Sequence, residues 1–502
     1  MKAPSLGDNT GDIDRLVKML NKLLPDMTIT PEFSLIKRTP AILREQGYDV
    51  EALLYEQANT LRLFEFLPRT RENLLRGLAV DLGSSTLVVR LLNLETEEVE
   101  EEASFLNPQT EIGADILSRI HYAGQPGGLV KLRRLVVDGL NREIHRIAAN
   151  RNIKPESILG MAIAGNTTMT HLFLGIDPHW LCREPYIPAA NRFPLFKASE
   201  IGVAIHPDGP VLVFPDVGSY FGGDLIAGII ASGMAEREEL SLLVDVGTNA
   251  EIVLGNKDWL MGCAGAAGPA LEGGVASMGV MAGPGVIDKV TIDGSSGHVQ
   301  ARTIGNTAPV GICGSGLIDL AAQLYLAGMI DVRGKFVAER CGKRLREIDG
   351  TRHFVVVPSE ASATGLELTL AQTDMDALLR SKAAMYTILT TVTNLVNVSM
   401  KDIKNFFIAG TFGSYIDPRS AITLGMVPDL PIETYKPLGN TSLAGATEVL
   451  LSRKARLKMD EIRDRITYIE LNVNQDFMNL FSAAKFIPHT DKSLFPSVQL
   501  IK

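Results

Sequence analysis

Cysteine is scarce: the 502 residues contain four, Cys182, Cys263, Cys313 and Cys341. No two of them stand at the close spacing of a zinc knuckle or a C-x-x-C redox pair, so they are read as isolated reduced thiols. A cationic excess is also missing. The net charge is -9, and without a basic stripe the counterion-release binding that nucleic acids require is excluded. Long apolar runs are absent too. The most apolar stretch, Val211 to Met234, is broken by Pro215, Gly218, Gly222 and Gly223 and carries Asp216 and Asp224, so no membrane span is expected. Met1 to Leu20 lacks the charged-then-apolar order of a secretory signal, and the expected location is cytoplasmic. Finally, there is no G-x-x-x-x-G-K-[ST] loop, and no G-x-G-x-x-G follows a strand in a dinucleotide context. Any phosphate chemistry must rest on other turns.

What is present is an ordinary folded composition, 46% hydrophobic and 21% charged, with glycine and proline scattered between apolar runs. The length suggests roughly two to four domains. Residues 1–75 place Leu, Glu and Arg at helical spacing, as in Ile13 to Leu20, with Thr39-Pro40 expected to break a helix. They are expected to form a small N-terminal α/β domain. From Gly77 onward, apolar strand runs end at Gly, Ser, Thr or Asn and give way to helical patterns, the alternation of an α/β fold. The expected division is 1–75, 76–235 and 236–502, the last with a C-terminal extension.

One internal comparison is the most informative. Leu78 to Val89 reads strand, Asp81, Gly83, Ser84, Ser85, Thr86, strand. Leu243 to Val253 repeats the pattern with Asp245, Gly247, Thr248 and Asn249. A period of about 160 residues is too long for a solenoid and implies two related subdomains, with a nucleotide expected between them. In such a hairpin the glycine lets phosphate oxygens approach the backbone, and the hydroxyl and amide residues donate hydrogen bonds. Asp81 and Asp245, at the ends of buried strands, are candidates to hold Mg²⁺ through its waters and to orient an attacking water. A single Asp-x-Gly is also an ordinary hairpin turn. Two copies in matching strand contexts set these apart.

Further loops fit the same chemistry. Met161 to Leu172 reads strand, Gly165, Asn166, Thr167, Thr168 and helix; Asn166 and Thr167 are candidate phosphate donors and equally good helix caps, and His171 is read as structural. Asp216 and Asp224 lie in the glycine-rich run Phe214 to Asp224, where either is a candidate water-orienting base or a turn residue. Gly314, Ser315 and Gly316 open a helix, and Gly410 and Thr411 follow the apolar strand Phe406 to Ala409, with Phe412 beside them as core or adenine contact. The small-residue run 262–285 suggests a surface that meets a ligand or partner.

The order of these motifs resembles the acetate and sugar kinase, Hsp70 and actin superfamily. More narrowly, Ala164 to Met169, Val244 to Asn249, Ala266 to Pro269, Gly311 to Gly316 and Gly439 to Gly445 together resemble the reductive activators of corrinoid-dependent enzymes. The resemblance implies two actin/Hsp70-like (ribonuclease H-like) subdomains at 76–235 and 236–502. It also implies ATP and Mg²⁺ as cofactors, a corrinoid (cobalamin-containing) methyl-carrier protein as partner, reduction of Co(II) to Co(I), and a homodimer. By it, Asp81, Gly83, Ser84, Ser85, Thr86, Asp245, Gly247, Thr248 and Asn249 map to the phosphate and Mg²⁺ site, and Gly314, Ser315, Gly316, Gly410 and Thr411 to the adenosine. Such activators usually carry a ferredoxin-like [2Fe-2S] domain whose cysteines follow C-x5-C-x2-C and a distant fourth. No such set occurs here. Either that domain lies outside this sequence or electrons come from an external donor. The alternative functions are a small-molecule kinase of the superfamily and a nucleotide-switched scaffold without a redox role.

Overall fold

Helices Asp12–Leu23 and Phe33–Glu45 bury Leu16 on the first and Leu35, Thr39 and Leu43 on the second, the last three spaced by four so that they share one face. In the computed structural model, which describes residues 1–69, 75–246, 249–266, 276–294, 296–470 and 476–500, this face packs with Ile29, Leu63 and Phe66. The strands β1 (Thr28–Pro31), β2 (Val50–Gln57) and β3 (Thr60–Pro68) form a three-stranded sheet in the order β1-β3-β2. The expected break at Thr39-Pro40 is corrected: Pro40 lies inside the second helix. An internal proline costs about 3 kcal/mol. Here the buried Leu35, Thr39, Leu43 face runs straight through it, and the Thr39 hydroxyl donates to the Leu35 carbonyl at 2.8 Å.

Contacts divide the described chain into two compact units, Met1–Ala227 with Ser442–Glu461, and Gly228–Thr441 with Ile462–Lys502. In the first unit, β4 (Arg76–Leu82), β5 (Thr86–Asn93), β6 (Val99–Leu106), β7 (Ile158–Gly165), β8 (Phe196–Lys197) and β9 (Pro210–Val213) form a sheet in the order β6-β5-β4-β7-β9-β8. The first three are an antiparallel meander, and β7 and β9 continue it in parallel with β4. Every residue of β7 is buried, as a parallel strand covered on both faces requires. Helix Gly128–Asn150 lays Leu132, Val136, Leu140, Ile144 and Ile147 on this core. Ion pairs fasten the N-terminal sheet to the rest of the unit: Lys197 meets Glu32, His206 Nε2 lies 3.0 Å from Glu65, and Arg456 lies 2.9 Å from Glu56.

The second unit repeats the design. Its strands β10 (Ser241–Val246), β11 (Asn249–Gly255) and β12 (Leu260–Ala266) are again an antiparallel meander. Two small sheets follow, one of β13 (Val286–Ile292), β14 (Val299–Thr303) and β15 (Gly311–Ile312), the other of β16 (Leu345–Ile348), β17 (Thr351–Val357) and β18 (Leu368–Ala371). Then β19 (Asn405–Ala409), β20 (Tyr435–Gly439) and β21 (Ile466–Glu470) complete a main sheet in the order β20-β19-β10-β11-β12-β21. Strands β10, β19 and β20 run parallel, as β4, β7 and β9 do. The α/β duplication expected from one hairpin thus extends to five strands of each sheet, while the sixth, β8 beside β9 and β21 beside β12, sits on opposite edges. Helix Gln372–Leu395 packs in this core and buries Lys382, whose Nζ donates to the Phe486 and Pro488 carbonyls at 2.5 and 2.8 Å and pins the C-terminal segment.

Candidate functional site

In the first unit the parallel strands end together. Leu82 of β4 pairs with Gly165 of β7, and Ile163 of β7 pairs with Val213 of β9. The segments that follow, Gly83 to Ser85, Asn166 to Thr168 and Phe214 to Asp224, therefore converge at the carboxyl edge of the sheet, where ligands of open α/β sheets bind. Asp81 is half-buried one residue from the end of β4, in register with Ala164. Gly83 and Ser84 are half-buried, Ser85 is exposed, and Thr86 opens β5. A Cβ on Gly83 would lie 2.2 Å from the Thr86 carbonyl oxygen, so the turn as built admits only glycine.

Asn166 caps helix Thr167–Leu174, its Oδ1 accepting from the Met169 N–H at 2.9 Å. Thr167 is buried, and its hydroxyl donates to the Gly218 carbonyl at 2.6 Å. Gly222 brings the 214–224 loop against this helix start: a Cβ there would stand 2.5 Å from Asn166 Cα and 2.7 Å from Thr167 N. His171 is fully buried with Nδ1 2.7 Å from the Thr167 carbonyl, and burial depresses its pKa, in keeping with a neutral core ring.

Asp216 differs from the other carboxylates. It is 0% exposed and accepts from the Gly223 N–H at 3.1 Å. Burial first, and the Asp224 charge second, push its pKa well above the ordinary carboxylate value. The folded chain holds this proton more tightly than the unfolded chain, whose carboxyl ionises at about pH 3.9. As pH rises from about 4, the unfolded state loses its proton first, so this group's contribution to stability falls until the raised folded pKa is reached. Asp216→Asn cannot ionise and keeps an acceptor for Gly223. The variant should gain stability relative to the parent as pH climbs above about 4, with no such gain below about 4, in urea unfolding at several pH values. A difference independent of pH would contradict this account.

In the second unit, Asp245 is half-buried on β10, in register with Ala409 of β19, and Ala409 pairs with Gly439 of β20. Gly410 begins helix Gly410–Tyr415, and Gly439 precedes Asn440 and helix Thr441–Leu451. Asp245 is thus the counterpart of Asp81. Gly247, Thr248 and residues 267–275, which include Ala267, Gly268 and Pro269, lie outside the described residues. So do the side chains of Asn249, Thr411 and Phe412.

Gly314, Ser315 and Gly316 open helix Gly314–Leu326, all buried. A Cβ on Gly316 would meet the Ile287 carbonyl oxygen at 2.3 Å, so this glycine serves close packing of helix on β13. Ser315 lines a cavity of about 290 Å³ with Asp288, Arg302, Asp319, Tyr415 and Asp417. Asp319 accepts from the Val290 N–H and the Ser420 hydroxyl, both at 2.6 Å. The motifs had not singled out Arg302, Asp288 or Tyr415, which lie far from Ser315 in sequence. Among the described residues no cluster of three or more His, Cys, Asp or Glu side chains is arranged to hold a metal, and no helix is long and apolar enough to cross a membrane.

An antiparallel meander continued by parallel strands, present twice and with an aspartate near the end of each first strand, defines an α/β protein of the actin, Hsp70 and sugar-kinase class. Comparison with known proteins narrows this. The chain belongs to the RACo family: residues 1–73 match the RACo linker region, 76–237 the RACo middle region, and 239–499 the C-terminal domain of RACo, the ASKHA domain. The corrinoid activation enzyme RamQ of Eubacterium limosum is 30% identical over 481 residues, 94% of this chain and 79% of that protein. The [Co(II) methylated amine-specific corrinoid protein] reductase of Methanosarcina barkeri is 24% identical over 438 residues, 81% of this chain and 76% of that protein. A solved structure of a reductive activator for corrinoid, iron-sulfur protein superposes with a TM-score of 0.90 at 38% identity, covering 99% of this chain and 79% of that one.

Proposed function

We propose that this chain is an ATP-dependent reductive activator that returns Co(II) corrinoid proteins to Co(I). The observation that carries the reading is the duplicated strand-end aspartate, Asp81 and Asp245, in a chain whose relatives are named as corrinoid activators. In the first unit the Gly83 to Thr86 turn binds phosphate oxygens of ATP, and the Asn166 helix start lies at the same sheet edge; Gly247 to Asn249 is the matching segment of the second repeat in the sequence. The Gly314 to Gly316 helix start and the Ser315 cavity receive the adenosine. Pockets for small ligands begin at about 300 Å³.

Asp81 and Asp245 fit Mg²⁺ better than a fully dehydrated metal. Each is a half-buried carboxylate, among the described residues no metal-holding cluster of His, Cys, Asp or Glu occurs, and Mg²⁺ keeps several waters and is completed by phosphate oxygens. Bound there, Mg²⁺ supplies charge neutralisation for the phosphates. The carboxylates orient the water that attacks. Asp216 holds the 214–224 loop through the Gly223 N–H, and its raised pKa makes it a stronger proton acceptor than an exposed carboxylate, in keeping with a water-orienting base.

The residues present do not fit a [2Fe-2S] cluster. Cys182 lies in the first unit, and Cys263, Cys313 and Cys341 are buried in the core of the second, where burial raises the Cys263 thiol and pushes Cys341 up to about 11. A cluster needs deprotonated thiolates brought together. The electron therefore comes from a donor other than these cysteines. The reading is tested by mixing the protein with a Co(II) corrinoid protein and a low-potential donor: Co(I) should form with ATP and not without it.

A further inference from the structure

Beneath the first phosphate turn lies a buried polar chain that no motif announced. Asn107, Gln109 and Arg119 are each 0% exposed. The Asn107 backbone N–H donates to the Ser85 carbonyl at 2.8 Å and its Nδ2 to the Gly83 carbonyl at 2.9 Å, so this one residue holds both ends of the turn. Asn107 Oδ1 accepts from the Gln109 N–H at 2.9 Å, and Gln109 Nε2 donates to the Leu132 carbonyl at 2.9 Å. Gln109 Oε1 accepts from Arg119 Nη1 at 3.4 Å, and Arg119 Nε donates to the Gly113 carbonyl at 2.9 Å. Met169, in the first turn of the helix capped by Asn166, closes the group, its Sδ lying 3.4 Å from Arg119 Nη1 and 3.7 Å from Asn107 Nδ2.

The guanidinium is the anomaly. Among the described residues its Nη2 has no hydrogen-bond partner, and the groups its other nitrogens meet are a carbonyl, an amide and a thioether, none of them anionic. Asp115, the nearby acid, spends its carboxylate capping helix Ile116–Ala123 through the Ser118 N–H and hydroxyl. A buried charge whose nearby acid, Asp115, acts on it without a hydrogen bond between them is costly, and arginine stays protonated even when burial lowers its pKa. Phosphate proposed for the turn above it would add the negative charge that its hydrogen-bond partners do not carry.

We propose that Arg119 is a positioning residue of the phosphate turn, holding Gly83 to Ser85 through Gln109 and Asn107 and biasing that turn by its buried charge toward ligands with more phosphate. The inference rests on the reading that ATP binds at this turn. Through protein, a charge acts at longer range than in water, so its removal weakens a polyanion more than a neutral ligand.

The test measures the dissociation constants of Mg·ATP and adenosine by calorimetry on the full chain, for the parent, Arg119→Met, Arg119→Gln and Arg119→Lys. The ratio of adenosine to ATP dissociation constants should fall about ten-fold in the two neutral variants and return to within about three-fold of the parent in Arg119→Lys. Equal weakening of both ligands would mean a merely structural role and overturn the proposal, as would an unchanged ratio in folded protein. Should both neutral variants fail to fold, Arg119→Lys decides: a lost ratio with charge retained overturns it, a retained ratio supports it. A parent that binds no ATP would sink the nucleotide reading itself, an outcome distinct from a parent that binds ATP with a ratio indifferent to Arg119.

Discussion

Asp245→Ala is expected to lower Mg²⁺-dependent ATP hydrolysis by at least about 100-fold, within the range that a positioned acid-base group contributes. The fold should survive, because Asp245 is half-buried at a strand end and its removal opens no cavity among the fully buried Leu242, Leu243 and Val244 that precede it. Melting temperature and far-ultraviolet circular dichroism should match the parent within a few degrees, in line with the roughly 0.5 kcal/mol expected of a site outside the core. Asp81→Ala should behave alike, since Asp81 pairs with Ala164 as Asp245 pairs with Ala409. Parent-level turnover in Asp245→Ala would remove that carboxylate from the chemistry, whatever the fold suggests.

Gly83→Ala should be the second severe change. The added methyl would lie 2.2 Å from the Thr86 carbonyl oxygen, a backbone atom with no side-chain freedom to give way. The turn must open, which disturbs the Gly83 and Ser85 carbonyls that Asn107 holds. Forced overpacking costs about 1–3 kcal/mol. If most of that falls on the bound state, the Michaelis constant for ATP should rise between about five-fold and 100-fold. Titrating ATP in a hydrolysis assay checks it. Unchanged affinity would show that phosphate does not depend on this turn.

The duplication was legible because it rests on local pattern. Leu78 to Val89 and Leu243 to Val253 share strand, aspartate, glycine and strand, and that order sets the antiparallel pairs β4-β5 and β10-β11. Two of the parallel strands were legible as apolar runs, from Met161 to the Gly165 turn and from Phe406 to Ala409, since strands covered on both faces have no polar side; the first begins three residues earlier in the fold, at Ile158. Pro40 misled because propensity competes with packing, and a buried face on either side of the proline prevailed. The Asn107, Gln109 and Arg119 chain gave no signal. Its members come from the cap and body of a short 3-10 turn, Pro108–Glu111, and from a helix, and polar residues there look like any solvated loop until the fold buries them. Asp216 shows the same limit: a carboxylate between glycines reads as a candidate base or a turn residue, and its complete burial and its bond from the Gly223 N–H appear only in the fold.

The most direct test of the central claim follows cobalt absorbance. A corrinoid protein poised as Co(II) is mixed with this protein and a low-potential electron donor, with ATP, with a non-hydrolysable analogue, or with no nucleotide. Co(I), or its methylated product when a methyl donor is present, should appear with ATP, and ATP hydrolysis should rise when the corrinoid protein is added. Cobalt that stays Co(II) while ATP is hydrolysed at the same rate with or without the corrinoid protein would contradict the activator reading and turn the search to a phosphorylated metabolite.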